Sequence, residues 1–297
     1  MKPVPFHYFR PSSLEEAISI LKRYDGEAKL LAGGQSLIPL LNMRLARPSA
    51  LVDLSGIPSL DDIKLEGQDL IIGAMVRHSS VERSPLVAER CPLLREAMSY
   101  VGHAAIRTRG TFGGSMAHAD PAAELPAVAA LVDASFHIIG PAGWRTVPWQ
   151  GFFETYLTSC LEPTEILVEV HLPLPTRSMG SAFLEIARRH GDFALVGAAA
   201  LVDLDEAGCM SEVRLALMGV GGTPWRLTAV EKSLRGHKPQ IKLYQDAGAK
   251  AAVDIEPGSD VHASADYRRD LAAMLVERVL MAAASRASKT GRGEVKV

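Results

Sequence analysis

Hydrophobic positions near the start of the chain follow a helical period and then a strand-like run. Apolar residues recur three or four positions apart at Leu14, Ala17, Ile18 and Leu21. The run Ser12-Ser13-Leu14-Glu15-Glu16 places a serine three residues ahead of a glutamate, which is the spacing of a capping box. The pattern predicts an amphipathic helix over 13–24 and a short buried strand over 28–32.

The predicted strand leads into Gly33-Gly34, and Ser36 is placed to cap a helix over 37–44. Further strands are predicted over 50–54, 69–74 and 135–140. A helix is expected over 92–104. Pro126 should interrupt any helix that contains it, so a new helix is expected to start near Ala127.

The pattern changes after Pro173-Leu174-Pro175, which is typical of a stiff connector between domains. Strands are predicted over 194–204 and 212–220, and helices over 226–235, 240–252 and 266–286. A sheet followed by helices indicates a separate α+β domain. The last helix carries an apolar stripe that should pack on this sheet, formed by Leu271, Leu275, Val279 and Ala283.

Charge and hydropathy exclude several classes of partner. The chain has 297 residues and a formal net charge of −2, which provides no field that would attract nucleic acid or an anionic membrane. No apolar run reaches the length of a membrane span, and the first eight residues lack the apolar centre of a signal peptide. A cytoplasmic location is therefore expected.

The chain shows no metal or catalytic motif. Cys91, Cys160 and Cys209 are too few and too scattered for a disulfide framework, an iron–sulfur cluster or a structural zinc site. The nine histidines show no zinc-ligand spacing, and there is no P-loop and no hydrolase serine motif. We therefore expect no catalytic side chain and no metal site, so that redox chemistry would need a flavin.

Two Gly-Gly loops with polar flanks are the strongest chemical signal. They lie in Ala32-Gly33-Gly34-Gln35-Ser36-Leu37 and in Thr111-Phe112-Gly113-Gly114-Ser115. Glycines can adopt positive φ and let a backbone approach a ligand closely, so that N–H groups can surround a pyrophosphate. One such loop alone would be read as a tight turn. Two with matching flanks favour a dinucleotide, and we expect FAD.

Two further segments carry candidate contacts. Asp120 and Glu124 follow the second loop and suit hydroxyl groups of a ribose or ribityl chain; the alternative is that Asp120 caps a helix and Glu124 is solvated. Phe193 follows Arg188-Arg189 and could lie against a planar ring. The alternative there is a charged loop in which Asp192 pairs locally.

These segments resemble the medium, flavin-carrying subunits of the molybdenum hydroxylase family, which includes xanthine dehydrogenase and aerobic carbon monoxide dehydrogenase. The resemblance lies in Leu31 to Pro48, in Thr111 to Ser115 with Ala119 to Pro126, and in Ala187 to Ala194. Phe112 and Ser115 depart from the isoleucine and asparagine usual in the family. The glycines and a polar side chain are kept.

The resemblance implies an α+β fold. An FAD-binding domain of the p-cresol methylhydroxylase/vanillyl-alcohol oxidase type would cover 1–176, with subdomains of about 1–56 and 57–176. An α+β domain with a three-stranded sheet and helices would cover 177–290, and a flexible tail 291–297. The residues implied to contact non-covalent FAD are Ala32, Gly33, Gly34, Gln35, Ser36, Leu37, Thr111, Phe112, Gly113, Gly114, Ser115, Ala119, Asp120, Glu124 and Phe193.

The resemblance also implies partners. A large subunit would hold the molybdenum cofactor and a small subunit two [2Fe–2S] clusters, in a dimer of heterotrimers, with the flavin passing electrons to an external acceptor. The substrate stays open among carbon monoxide, a purine, an aldehyde and an N-heterocycle, and so do the acceptor and the role of Arg188 and Arg189. The alternatives are a self-contained FAD-dependent reductase or oxidase of the same fold and a structural assembly subunit.

Overall fold

A small parallel sheet packs against the first helix of the chain. The computed structural model describes residues 2–175 and 178–290, so the predicted tail lies outside the described residues. The first elements are β1 (His7–Phe9), α1 (Leu14–Tyr24), β2 (Ala28–Leu31), α2 (Leu37–Asn42) and β3 (Ala50–Asp53). The strand order is β1-β3-β2. The predicted first helix and strand are confirmed.

Capping fixes where α1 begins. The Ser13 hydroxyl accepts a hydrogen bond from the Glu16 backbone N–H at 3.2 Å. The Glu16 carboxylate in turn accepts one from the Ser12 N–H at 2.8 Å. Two N–H groups at the helix start are thus satisfied by side chains, as the sequence spacing predicted.

A five-stranded antiparallel sheet forms the centre of the molecule, in the order β4-β5-β10-β6-β7. Its strands are β4 (Ile63–Glu66), β5 (Asp69–Gly73), β6 (Ser135–Gly140), β7 (Gly143–Pro148) and β10 (Ile166–Pro173). Between β7 and β10 lie α9 (Trp149–Phe152) and a hairpin of β8 (Phe153–Thr155) and β9 (Thr158–Ser159). The strands predicted over 69–74 and 135–140 are confirmed.

Six short helices connect β5 to β6. They are α3 (His78–Arg83), α4 (Pro85–Arg90), α5 (Pro92–Met98), α6 (Ala104–Arg107), α7 (Phe112–His118) and α8 (Glu124–Leu131). The prediction of one helix over 92–104 was wrong, because the chain leaves the helix after Met98 and Gly102 adopts a φ of +51°. The predicted restart near Ala127 was also wrong. Pro126 lies in the first turn of α8, where its missing N–H removes no intrahelical bond.

The second half forms a four-stranded sheet covered by helices. Its elements are β11 (Gly180–Ala187), β12 (Ala194–Leu204), β13 (Met210–Met218), β14 (Trp225–Arg226), α10 (Thr228–Leu234), α11 (Ile241–Asp254) and α12 (Ala265–Thr290). Three strands are long and β14 has two residues. The predicted stripe of α12 is buried in the same apolar cluster as β12 and β13, as expected.

One apolar cluster contains residues from both halves. Phe183 of β11 and Ala216 of β13 belong to the same buried cluster as Val128 of α8. A backbone bond also joins them, since the Gly219 N–H donates to the Pro121 carbonyl oxygen at 2.8 Å. This continuity fixes the segments at the boundary, which line the larger cavity described below. In the described residues we find no helix with the length and apolar content needed to span a bilayer.

Candidate functional site

The two Gly-Gly loops, far apart in sequence, lie against each other. A Cβ atom at Gly33 would be 2.5 Å from the carbonyl oxygen of Arg109 and 2.7 Å from the Cα of Gly110. A Cβ at Gly114 would be 3.5 Å from the Cβ of Ala32. The first loop therefore packs on the second and on the residues just before it. Only glycine at position 33 permits this approach.

The glycines serve different purposes. Gly34 is the one of the four loop glycines with a positive φ, at +74°. Gly113 is needed for close packing of α7, because a Cβ there would lie 2.4 Å from the Cβ of Ala74. The expectation that these glycines provide positive φ thus applies to Gly34. Gly33 and Gly113 provide close approach.

The first loop offers unused hydrogen-bond donors. Within the described part of the chain, the backbone N–H groups of Gly34, Gln35 and Ser36 form no hydrogen bond. The Gln35 side chain donates to the Gly33 carbonyl oxygen at 3.1 Å and braces the turn. Ser36 precedes α2, but its hydroxyl makes no capping bond, so the predicted side-chain cap is wrong. Three adjacent free N–H groups are suited to an anion.

The backbone N–H groups of the second loop already donate hydrogen bonds to other groups of the protein. Phe112 N–H donates to Val76 and Gly113 N–H to Ala74, at 2.9 and 3.0 Å. Gly114 N–H donates to the hydroxyl of Thr111 at 3.2 Å, which caps α7. The Phe112 ring is fully buried in the core. The second loop is therefore a support on which the first loop rests.

A buried histidine holds this support. The Nε2 of His78 lies 2.9 Å from the carbonyl oxygen of Thr111. Burial lowers the pKa of His78 to about 4, so the ring is neutral and Nε2–H is the donor. Gly110 passes directly over the ring, since a Cβ there would be 2.8 Å from Nδ1. No motif marks His78 in the sequence, because it is a single histidine far from the loop.

Two arginines complete a small cavity beside the first loop. The cavity has a volume of about 120 Å³ and is lined by Gly33, Gly34, Asp53, Arg77 and Arg109, among others. Burial and repulsion from Arg109 lower the pKa of Arg77, while Asp53 opposes this effect. A guanidinium remains charged under these conditions. The free N–H group of Gly34 and two guanidinium cations suit this cavity to an anion, and the Asp53 carboxylate offsets one of the two positive charges.

Asp53 is fixed beside this cavity. Its carboxylate accepts hydrogen bonds from the Tyr8 hydroxyl at 2.5 Å and from the Ser55 N–H at 2.9 Å. Burial opposes ionisation of Asp53, but these hydrogen bonds outweigh burial and lower its pKa. Asp53 thus caps the turn at Ser55, and its negative charge acts electrostatically on Arg77.

A larger cavity of about 790 Å³ lies between the two halves. Asp120 and Tyr156 line it from the first half, and Phe193 and Arg268 from the second. The ring of Phe193 is 62% exposed and that of Tyr156 is 57% exposed, so both present aromatic faces to this space. An elongated ligand with a planar end group would match this lining.

Short contacts hold the walls of the larger cavity. The buried Arg268 of α12 donates to the carbonyl oxygens of Leu195 and Gly219 and pairs with Asp260 at 2.7 Å. Gly191 has a φ of +85°, and a Cβ there would lie 2.5 Å from the ring of His103. The loop that carries Phe193 is therefore seated against the first half.

The two predicted carboxylates occupy different environments. Asp120 lines the larger cavity and accepts a hydrogen bond from the Ala122 N–H at 2.9 Å, so it caps a turn. Glu124 is 7% exposed and lines neither cavity, which excludes the solvated alternative. Burial, and secondarily Asp120, raises the pKa of Glu124 to about 7.

Glu124 is coupled to a second buried acid. Burial raises the pKa of Glu185 on β11 to about 8, and the charge of Glu124 adds to this. The Glu185 Oε2 atom has no hydrogen-bond partner among the described residues. The two carboxyl groups come from different halves of the molecule. When they ionise, they place negative charge at the boundary between the halves.

Comparison with known proteins matches both halves. Residues 4–175 match the model of an FAD binding domain in molybdopterin dehydrogenase, and residues 181–283 match the CO dehydrogenase flavoprotein C-terminal domain. The chain is 40% identical to the 6-hydroxypseudooxynicotine dehydrogenase complex subunit alpha of Paenarthrobacter nicotinovorans, covering 98% of each. It is 39% identical to the caffeine dehydrogenase subunit beta of Pseudomonas sp. strain CBB1, covering 96% of this chain and 97% of that one.

The same similarity appears in three dimensions. A carbon monoxide dehydrogenase structure from Hydrogenophaga pseudoflava, which lacks the Mo-pyranopterin moiety of the molybdenum cofactor, superimposes with a TM-score of 0.93 at 38% identity. The match covers 96% of this chain and 99% of the other. The predicted α+β architecture is therefore confirmed.

Proposed function

The chain belongs to the family of FAD-binding subunits of molybdenum hydroxylases, and from this premise we propose that it is the flavoprotein subunit of a multi-subunit oxidoreductase of that family. When bound, FAD supplies the redox chemistry, taking electrons from [2Fe–2S] clusters of a small subunit and passing them to an external acceptor. The single observation that carries the proposal is the meeting of the two Gly-Gly loops beside Arg77 and Arg109.

The diphosphate of FAD is assigned to the small cavity. The N–H groups of Gly34, Gln35 and Ser36 are its backbone donors, and Arg77 and Arg109 balance its charge. Leu37 and Ala32 frame this loop, and the segment Thr111 to Ser115 holds it from behind. These groups fit a diphosphate because free N–H groups can donate hydrogen bonds to its oxygens and the two guanidinium groups can balance its charge, so that no lysine is needed.

The isoalloxazine is assigned to the larger cavity, against Phe193. An exposed aromatic ring at the edge of a cavity is suited to stacking on a planar heterocycle. Asp120 is the carboxylate proposed to receive the ribityl or ribose hydroxyls, because it lines this cavity. Glu124 supports the segment Ala119 to Ala123 from within the core.

No side chain is assigned a catalytic role on the organic substrate. The protein's task is to bind the flavin, to orient it between the halves and to exclude water from its phosphate end. The substrate is instead assigned to a partner subunit. Relatives at 39–40% identity over nearly the whole chain are named for a nicotine derivative and for caffeine, so the substrate changes while this subunit stays similar.

The assembly follows from the family. We propose a large molybdenum-cofactor subunit and a small [2Fe–2S] subunit as partners, assembled as a dimer of heterotrimers. The division into 1–176 and 177–290, and a cytoplasmic location, also stay predictions. Support for partners comes from the relatives, which are named as subunits of dehydrogenases.

The direct test is to purify the full chain alone and within its co-expressed complex. We expect about one FAD per chain, released intact on denaturation and identified by mass, and companion subunits that contain molybdopterin and iron–sulfur clusters. The isolated chain should not oxidise NADPH or an organic substrate.

Two results would contradict the proposal. A colourless chain that does not bind added FAD would exclude the flavin site and favour a structural subunit. Turnover of NADPH by the isolated chain would favour a self-contained reductase.

A further inference from the structure

Two histidines and a glutamate lie together on the central sheet, away from both cavities. His137 is on β6, and Glu169 and His171 are on β10. Glu169 pairs directly with His137 in the antiparallel register, and His171, two residues further, projects from the same face. None of the three lines the small or the larger cavity.

A β-bulge creates this arrangement. The register of β10 against β6 shifts between Leu167 and Glu169, so that Val168 is passed over and Glu169 becomes the partner of His137. Regular pairing would place the apolar Val168 opposite His137. Bulges commonly redirect a side chain at functional positions, and this one brings a carboxylate beside two stacked imidazoles.

The potential ligand atoms are already close. One ligand atom from each of the three side chains lies within 4.8 Å of the other two. The Nε2 of His171 is 2.7 Å from the Oε1 of Glu169, and the two imidazole rings stack with centroids 3.7 Å apart. The side chains of His171 and Glu169 are 16% and 26% exposed, so the group is half-buried yet reachable from solvent.

The charges around the group favour a cation. Burial and the charge of His171 lower the pKa of His137, while Glu169 and Asp69 oppose this effect and place two negative charges near its ring. The neighbouring Lys64 is bound by Glu66 at 2.7 Å, so its charge is balanced locally. Imidazole and carboxylate together are the ligand set of zinc and related divalent transition metals.

We propose that His137, Glu169 and His171 form a binding site for a divalent transition-metal ion of the zinc type. The ion takes the place of the proton that His171 Nε2 and Glu169 Oε1 now share. Metal–ligand distances of about 2.0–2.2 Å with tetrahedral geometry require these two atoms to separate to roughly 3.4 Å. Water occupies the fourth position, and the ion acts as a clamp between β6 and β10.

Only small side-chain movements are needed. The two imidazole rings stack with 11° between their planes, so one ring must turn about χ2 before both can bind the same ion. The χ2 torsion of histidine is broad, and the ring faces a partly open surface. The register between β6 and β10 already places the three side chains close enough to share an ion.

The test is zinc binding by the full-length chain, made without a histidine tag and treated with a chelator first. Isothermal titration with Zn²⁺ should show one saturable site per chain. The substitutions His137→Gln and His171→Gln should each weaken binding at least by the roughly 10- to 100-fold that loss of an outer-shell partner costs. The control His237→Gln, an exposed histidine elsewhere in the chain, should leave binding unchanged.

X-ray absorption at the zinc edge provides an independent readout. We expect nitrogen and oxygen ligands at about 2.0–2.1 Å with imidazole scattering. Zinc should also raise the melting temperature of the wild type and of His237→Gln, but not of His137→Gln. Glu169→Gln, which keeps the shape of the side chain, should weaken binding and serves if a histidine variant does not fold.

Three results would overturn the site. These are the absence of saturable zinc binding, binding that is equal in the wild type and in the His137→Gln and His171→Gln variants, and sulfur scattering near about 2.3 Å, which would place zinc on the cysteines. FAD content measured on the same samples should be equal in all variants, so this test is independent of the flavin assignment.

Discussion

Gly33 packs directly on the backbone of Arg109. Any other residue at this position would have a Cβ atom 2.5 Å from the Arg109 carbonyl oxygen. This contact joins two loops that lie far apart in the sequence. It also brings Gly34 of the first loop to the cavity that Arg77 and Arg109 line. The absence of a side chain at Gly33 therefore determines the geometry of the proposed diphosphate site.

Substitution Gly33→Ala should therefore reduce FAD binding. The methyl group forces the loops apart, and overpacking of this kind typically costs about 1–3 kcal/mol, which corresponds to a roughly 5- to 150-fold weaker affinity. The flavin-to-protein absorbance ratio after purification, and titration with added FAD, measure the effect.

The matched control for this prediction is Gly151→Ala. Gly151 lies in helix α9, and a Cβ there would lie 3.3 Å from Cγ1 of Val147, a partly exposed side chain, and near no backbone atom. Its FAD content should equal that of the wild type. Full flavin content in Gly33→Ala would show that the loop contact does not shape the site.

The sequence predicted the elements around this contact better than the contact itself. The strand before Gly33, the capping of α1 and the long strands β12 and β13 follow from hydrophobic period and cap residues, whereas β11 was not predicted. Two glycine loops with polar flanks indicated a shared site. Which loop presents its N–H groups depends on tertiary pairing, because Phe112 and Gly113 donate to the chain at Ala74 and Val76.

The missed residues share a physical reason. Arg77, Arg109 and His78 carry no local motif, and they act through positions to which the fold brings them. Pro126 was misread because a proline disrupts a helix interior but fits its first turn. The hydrophobic period of a sequence indicates which positions are buried. The roles of these residues depend instead on which groups the fold brings close to them.

Arg109→Gln should weaken FAD binding by roughly 10- to 100-fold, since a hydrogen bond to a charged group contributes about 1.5–3 kcal/mol. The same variant should bind riboflavin, which lacks phosphate, as the wild type does. Equilibrium titration of both ligands provides the comparison. Arg83→Gln, an exposed arginine of α3, is the control and should change neither affinity.

The salt dependence gives a second check of the arginine assignment. FAD affinity of the wild type should fall with ionic strength, because exposed charge interactions are screened. Arg109→Gln should show a smaller dependence. Equal losses of FAD and riboflavin affinity would instead indicate that the substitution disturbs the fold of the loop.

Phe193→Ala should leave the amount of bound FAD nearly unchanged but alter the flavin's spectrum. The phosphate contacts lie in the other cavity, so affinity is retained, whereas loss of the stacked ring should increase fluorescence of the bound flavin. Emission from samples of equal flavin content measures this. Trp144, on β7, is an aromatic residue of similar exposure, and the control substitution Trp144→Ala should leave the emission unchanged. If the emission of Phe193→Ala is also unchanged, Phe193 does not contact the flavin.

The buried acids Glu124 and Glu185 predict a pH-dependent stability. Burial raises their folded-state pKa values to about 7 and about 8; the charge of Asp120 adds to the rise at Glu124, and the charge of Glu124 adds to the rise at Glu185. A carboxyl group with a raised pKa contributes stability that is complete below its unfolded pKa and is lost as the pH rises through the folded value. The melting temperature should therefore fall between pH 5 and pH 9.

Glu185→Gln tests this dependence, because glutamine keeps the shape and cannot ionise. At pH 5 the variant should match the wild type, and at pH 9 it should be more stable by on the order of 2 kcal/mol. Thermal unfolding followed across this range gives the comparison, with the exposed Glu256→Gln as the control that should follow the wild type. Parallel pH curves for Glu185→Gln and the wild type would show that Glu185 ionises freely in the folded state, which its buried, unpartnered Oε2 atom argues against.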